Sequence, residues 1–163
     1  PHPARVVPDL PYLPMVRELV RAGWLDLSNA AGTLAVPGGT VSLLGTDDAH
    51  IHRDRLGAPA SSWEQAGVLH LGVTHAPYTR ASAGSDLILA GHTHGGQIGI
   101  PGGGAIITNC DIARRYAKGL NRWEAPDGSQ SWLHVSAGLG TSPYAKIRIA
   151  TRPEASIIHV HPA

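Results

Sequence analysis

The stretch Asp86-Leu87-Ile88-Leu89-Ala90-Gly91-His92-Thr93-His94-Gly95-Gly96-Gln97 decides how this chain is read. Leu87 to Ala90 form a short apolar run between an acid and a glycine, the pattern of a strand buried on both faces. Two imidazoles one residue apart follow its end. If strand geometry continues, His92 and His94 leave on one side and Thr93 on the other, while the flanking glycines let the backbone bend sharply. Two neutral imidazoles so placed supply half of a metal site.

Working outward, Val68-Leu69-His70-Leu71-Gly72-Val73-Thr74 is a second apolar, partly β-branched run that ends at His75. Two successive strands therefore deliver histidines at their ends. Before them, residues 33–36 and 40–44 flank Pro37-Gly38-Gly39, a hairpin signal. Residues 15–22 have apolar side chains at helical spacing and Gly23 to stop them, which predicts a short surface helix. Pro1, Pro3, Pro8, Pro11 and Pro14 predict an extended lead-in, and residues 47–62 read as a polar loop. Downstream, a glycine-rich loop over 99–104 precedes a predicted strand at 105–108. Residues 119–123 and 131–136 bracket Ala125-Pro126-Asp127-Gly128 as a second hairpin, and 155–160 alternate as a closing strand.

The composition excludes several functions. A chain of 163 residues fits one domain, and such a chain buries about 70% of its unfolded surface. Hydrophobic residues make up 42% and charged residues 15%, which excludes a disordered chain. No apolar run approaches the length of a membrane-spanning helix, and a net charge of +1 gives no electrostatic case for nucleic acid. Cys110 is the single cysteine, so neither an intrachain disulfide nor a cysteine-rich zinc site can form. One cysteine leans towards a reducing, cytoplasmic setting, although an upstream export signal or anchor would override that. Trp24, Trp63, Trp123 and Trp132 read as core or hairpin packing, Cys110 as a small buried hydrophobe, and His2, His70, His134, His159 and His161 as ordinary strand or terminal residues.

His75, His92 and His94 form the constellation of interest, since all three follow apolar strands where loops gather. Their nitrogens suit a borderline divalent cation, but a hydrolytic two-metal centre also needs carboxylate oxygen. Asp48-Ala49-His50 follows a strand and lies in a polar loop with Asp47 and His52. Such residues border ligand sites or simply hydrogen-bond one another. Gly95, Gly96 and Gln97 either shape a phosphate pocket through backbone amides or permit the turn.

These residues carry a resemblance. Thr74-His75-Ala76-Pro77 and the stretch from Asp86 to Gln97 resemble the last two motifs of the calcineurin-like metallophosphoesterase superfamily. Ile100-Pro101, Thr108-Asn109, Tyr116-Ala117-Lys118-Gly119, the stretch from Val135 to Ser142 and Arg152-Pro153-Glu154 resemble its bacterial branch in the same order. The resemblance implies an α/β (α+β-like) fold of two mixed sheets packed face to face with helices outside, here incomplete, and a two-metal centre at the strand ends. It implies His75 and His92 on one metal and His94 on the other, among manganese, iron and zinc, with hydrolysis of a phosphate ester or pyrophosphate bond by an activated water. Gly95, Gly96, Gln97, Asp48 and His50 are the implied neighbours of the substrate, a phosphorylated small molecule or a lipid-linked phosphate.

The departures are as informative. The family's Asp-x-His, Gly-Asp and Gly-Asn-His-Asp/Glu motifs belong upstream, and neither Gly-Asp nor Gly-Asn-His occurs here. Asp48-Ala49-His50 has the letters of the first without the others after it, and reads as a coincidence. Residues 1–163 thus read as the C-terminal portion of one metallophosphoesterase domain. The family's catalytic histidine is not among them, its N-terminal half is the missing partner, and the chain alone is expected to be inactive. Two other readings stay open: a non-catalytic, protein-binding scaffold of the same fold, and a mononuclear structural zinc site on the three histidines.

Overall fold

The computed structural model describes residues 11–55, 68–77, 84–102, 104–108, 110, 112–125, 128–142 and 146–161, without the side chain of His50. Most of residues 1–14, Trp63 and Asn109 lie outside that description.

Local signals set the first elements. Helix α1 spans Tyr12–Arg21, starting earlier than its apolar spacing predicts and including Pro14. Proline is tolerated there because amides of the first turn have no intrahelical acceptor. The helix ends as Gly23 implies. Gly23 has φ +92°, its amide donates to Val20 O, and the Trp24 amide donates to Leu19 O, a closure that needs a left-handed residue. No side chain of α1 is buried, and Trp24 stands 65% exposed rather than in a core. The Arg53 guanidinium covers the Tyr12 ring at 4.9 Å and connects the helix to the loop after the second strand.

Strands β1 (Ala30–Val36) and β2 (Gly39–Gly45) form the expected antiparallel hairpin around Pro37-Gly38. Strands β3 (Leu69–Val73) and β4 (Leu87–Ala90) follow. Two-residue strands β5 (Gly99–Ile100) and β6 (Gly104–Ala105) make a small ribbon, and β7 (Gly119–Glu124) pairs with β8 (Gln130–Val135) as the second hairpin. The main sheet has six strands in the order β1-β2-β3-β4-β8-β7. Its four inner strands, β2, β3, β4 and β8, are mutually parallel, and an antiparallel strand closes each edge.

The architecture is therefore α/β: a mixed six-stranded sheet, a second small sheet and one helix among the described residues. One face of the sheet carries the core, where Ile88 and Ala90 of β4 meet Leu133 and Val135 of β8, flanked by Tyr116 and Trp123. Those two rings meet edge to face with centroids 5.1 Å apart. Burying each large aliphatic side chain contributes about 1.5–3 kcal/mol, so this cluster fixes the β4–β8 pairing on which the site stands.

Two predicted strands are corrected. Residues 105–108 pair only at Ala105, with the Ile106 amide reaching Ile98 O, and Ile107 is 64% exposed. The run loses its partner where the chain before Gly99 turns towards the histidines. Residues 155–160 form no strand. Ile158 and Val160 instead border a cavity of about 240 Å³ with Leu69, Leu87, Leu120 and Trp132. Ile158 and Val160 keep 37% and 54% exposure there, so the run borders the sheet face without being buried by it. Cys110 is half-buried, not buried.

Candidate metal-binding site

Because β2, β3, β4 and β8 are parallel, their C-terminal ends open on one rim, the usual place for ligands in open α/β sheets. The loops leaving that rim are 46–53, 74–77, 91–97 and 136–140. Backbone bonds carry the sheet into them: Thr46 N donates to Val73 O at 3.0 Å, Thr74 N to Leu89 O at 3.0 Å, Gly91 N to His75 O at 2.9 Å and Ser136 N to Ala90 O at 2.9 Å. The histidine-bearing loops are thus extensions of a rigid sheet.

His75 and His92 meet. His92 Nδ1 lies 3.2 Å from His75 Nε2, with the rings edge to face and centroids 5.1 Å apart. Two imidazole nitrogens sharing one tetrahedral zinc-like ion at ordinary bond lengths stand about 3.3 Å apart. The pair therefore has the spacing of two ligands on one cation, and in the absence of an ion one ring must donate to the other. This pair supplies two nitrogens at a spacing that suits a divalent metal, and no more than two. Among the described residues, no group of three or more His, Cys, Asp or Glu side chains could hold one.

His92 and His94 do not leave β4 as a continued strand. Their φ angles are +65° and +51°, and Gln97 has +44°, left-handed values that are costly for side-chain-bearing residues. Such backbone concentrates at functional sites, where surrounding contacts must hold it. Thr93 between them is buried, and its hydroxyl donates to Ala117 O at 2.6 Å, anchoring the turn to the segment before β7. His94 is half-buried beside Arg148. Burial first and the Arg148 charge second hold its imidazole below the ordinary histidine pKa, and His75 adds to this, while a hydrogen bond with the Gly140 backbone opposes it. A neutral imidazole is the form that binds metal.

The glycines serve the turn. The amides of Gly95, Gly96 and Gln97 donate to Thr93 Oγ1, Thr93 O and His94 O, so these groups are spent within the turn rather than aimed at a phosphate. A Cβ on Gly96 would come 2.2 Å from Ala105 Cβ, and one on Gly95 would come 2.6 Å from Thr151 Cγ2. Gln97 is buried, and its Oε1 accepts from Ser142 N at 2.8 Å.

Asp48 lies at the same rim, in the loop after β2. Asp47 accepts from Asp48 N at 2.7 Å and from Arg53 Nε at 2.9 Å, and Asn29 Oδ1 accepts from Asp47 N and Arg55 N. These hydrogen bonds organise the loop. The His50 side chain lies outside the described residues. Of the remaining histidines, His70 Nδ1 lies 3.3 Å from Asp86 Oδ2, and His134 is buried in β8. Sequence reasoning missed Arg148, whose only signal was a lone cation in the apolar run Ile147-Arg148-Ile149.

Comparison with known proteins finds two curated relatives. Over 145 residues, 87% of this chain and 49% of the relative, it is 30% identical to Phosphodiesterase YaeI of Escherichia coli (strain K12). Over 143 residues, 85% of this chain and 50% of the relative, it is 29% identical to the Uncharacterized metallophosphoesterase YkoQ of Bacillus subtilis (strain 168). No protein-family model and no solved structure matches. The chain is thus similar to a phosphodiesterase and to a metallophosphoesterase, and both matches support a place in the metallophosphoesterase superfamily. It spans about half the length of the curated relatives it matches.

Proposed function

We propose that the protein containing this chain is a metal-dependent phosphoesterase, and that these 163 residues are the C-terminal portion of its catalytic domain. The observation that carries the reading is the His75–His92 pair, 3.2 Å apart at the rim where four parallel strands end. His75 and His92 hold one divalent ion and His94 a second, among manganese, iron and zinc. Bound there, two such cations supply Lewis-acid neutralisation of phosphoryl charge and a more acidic water nucleophile. The chain's own contribution is to keep His94 neutral by burial and to fix the His92–His94 turn through Thr93. The carboxylate and catalytic histidine that complete the site come from the remainder of the domain.

The substrate is a phosphate ester or pyrophosphate of a small molecule or a lipid. A phosphodiester is the first to assay, because one relative is named for that activity. The test is manganese-dependent hydrolysis of bis-p-nitrophenyl phosphate by the full-length protein, with metal counted by mass spectrometry. Turnover with two metals per chain is expected. A full-length protein that binds no metal, or one zinc without turnover, overturns the reading in favour of a scaffold or a structural zinc domain respectively.

A further inference from the structure

Arg148 is the one cation whose hydrogen bonds run directly into the histidine turn among the described residues. Its Nη1 donates to His94 O at 3.2 Å and to Arg152 O at 3.5 Å, and its Nη2 donates to Ala137 O at 2.7 Å and Gly138 O at 3.0 Å. Nε donates to Gly140 O at 3.0 Å, and Nη2 reaches the same carbonyl. Every one of these acceptors is a backbone carbonyl.

The chain delivers Arg148 there by pairing. Ile149 N donates to Gln97 O at 2.9 Å and accepts at its own carbonyl from Gly99 N at 2.9 Å, and Ile98 and Ile149 form a parallel bridge. Residues 147–149 therefore lie alongside the segment that leaves the histidines. Two residues further on, Thr151 is buried, and its hydroxyl contacts Gly95 O at 3.4 Å.

We propose that Arg148 is a positioning residue of the metal site, its guanidinium clamping the His94 turn to the 137–140 loop at the end of β8. This rests on the phosphoesterase reading above. Three physical points support it. His94 has a left-handed backbone that its own side chain disfavours, so an external contact must hold it. A planar fork with five N–H donors can bind several carbonyls at once, which a lysine ammonium on a flexible stem cannot reproduce. And because its donors are occupied by carbonyls, Arg148 acts through His94 rather than by gripping a substrate phosphate.

The experiment uses the full-length protein with Arg148→Met, Arg148→Lys and, as a control, Arg152→Met. Four readouts are compared: bound manganese per chain, manganese affinity, thermal midpoint, and kcat against KM for bis-p-nitrophenyl phosphate. Arg148→Met is expected to lose one of two manganese ions, to weaken its binding by about 10–100-fold, and to lower kcat with KM little changed. Arg148→Lys should recover little, since it restores charge without the fork, and Arg152→Met should match the parent protein. Unchanged metal count and affinity in Arg148→Met overturn the proposal. So does full rescue by Arg148→Lys, which would make charge the operative feature, and so does loss of both ions together with a collapsed thermal midpoint. If the parent protein binds no manganese, the phosphoesterase reading fails. The clamp is then decided by amide exchange in the metal-free protein: faster exchange at Gly96 and Gln97 in Arg148→Met, with Ile88 unchanged, sustains it, and equal exchange overturns it.

Discussion

His92 Nδ1 and His75 Nε2 stand 3.2 Å apart although seventeen positions separate them in the chain. Parallel pairing of β3 with β4, extended by the bond from Gly91 N to His75 O, places both rings at the same level of one rim. The contact is therefore a property of the sheet register, and a metal is the partner that lets two neutral imidazoles share it without either having to donate a proton.

Replacing either ring removes half of that pair. His75→Ala and His92→Ala in the full-length protein are expected to lower manganese affinity by more than about 100-fold, since losing a ligand costs at least as much as losing a residue that orients one. His161→Ala, at the cavity on the other side of the sheet's length, should leave affinity unchanged. Titration of the metal-free proteins with manganese decides it, and equal affinities in all three variants refute the assignment.

The turn glycines give a paired stability test. Gly96 and Gly102 both have positive φ, +79° and +72°, but a Cβ on Gly96 would strike Ala105 Cβ at 2.2 Å, whereas Gly102 faces open space. Gly102→Ala should cost about 1 kcal/mol from the backbone alone. Gly96→Ala adds overpacking of about 1–3 kcal/mol. Urea denaturation should separate the two midpoints clearly.

Acid should weaken the metal-free protein through His94. Burial and Arg148 hold its folded pKa below the ordinary value, so the unfolded state binds more protons. The contribution is fully present above about pH 6.5 and is lost as pH falls from there towards the depressed folded value. His94→Gln should flatten that part of the stability profile, measured by denaturant midpoints between pH 7.5 and 5 in the presence of a chelator. A slope unchanged by the substitution would show that other groups carry it.

Core and tail should respond very differently to truncation. Leu133 is 0% exposed between β4 and β7, and Leu133→Ala should destabilise by about 2–5 kcal/mol. Ile157 is 84% exposed, and Ile157→Ala should stay within about 0.5 kcal/mol of the parent.

The isolated 163-residue chain should hydrolyse aryl phosphates poorly or not at all, because no Gly-Asp or Gly-Asn-His motif lies within it. Manganese-dependent turnover by that chain alone, assayed with p-nitrophenyl phosphate, would show that the residues present suffice.

Much of this was legible in the sequence, for a physical reason. Helix α1, both hairpins and the two strands that end at histidines are specified by local signals, namely apolar spacing, Gly23, Pro37-Gly38 and the run at 87–90. The readings that failed depend on distant partners. An alternating run such as 155–160 carries no mark of whether it will meet a strand edge or an apolar sheet face, and a run such as 105–108 ends where its partner leaves.

By itself the sequence determined the residue types of the site, three imidazoles following apolar strands, and the family motifs around them. Tertiary structure alone decided that His75 and His92 face one another, that His92 and His94 sit in left-handed turns instead of a strand, and that Arg148 reaches His94 from 54 positions away. Local propensity acts over a few residues and can be read along the chain, whereas these contacts arise from sheet register and loop packing, which exist only once the whole chain has folded.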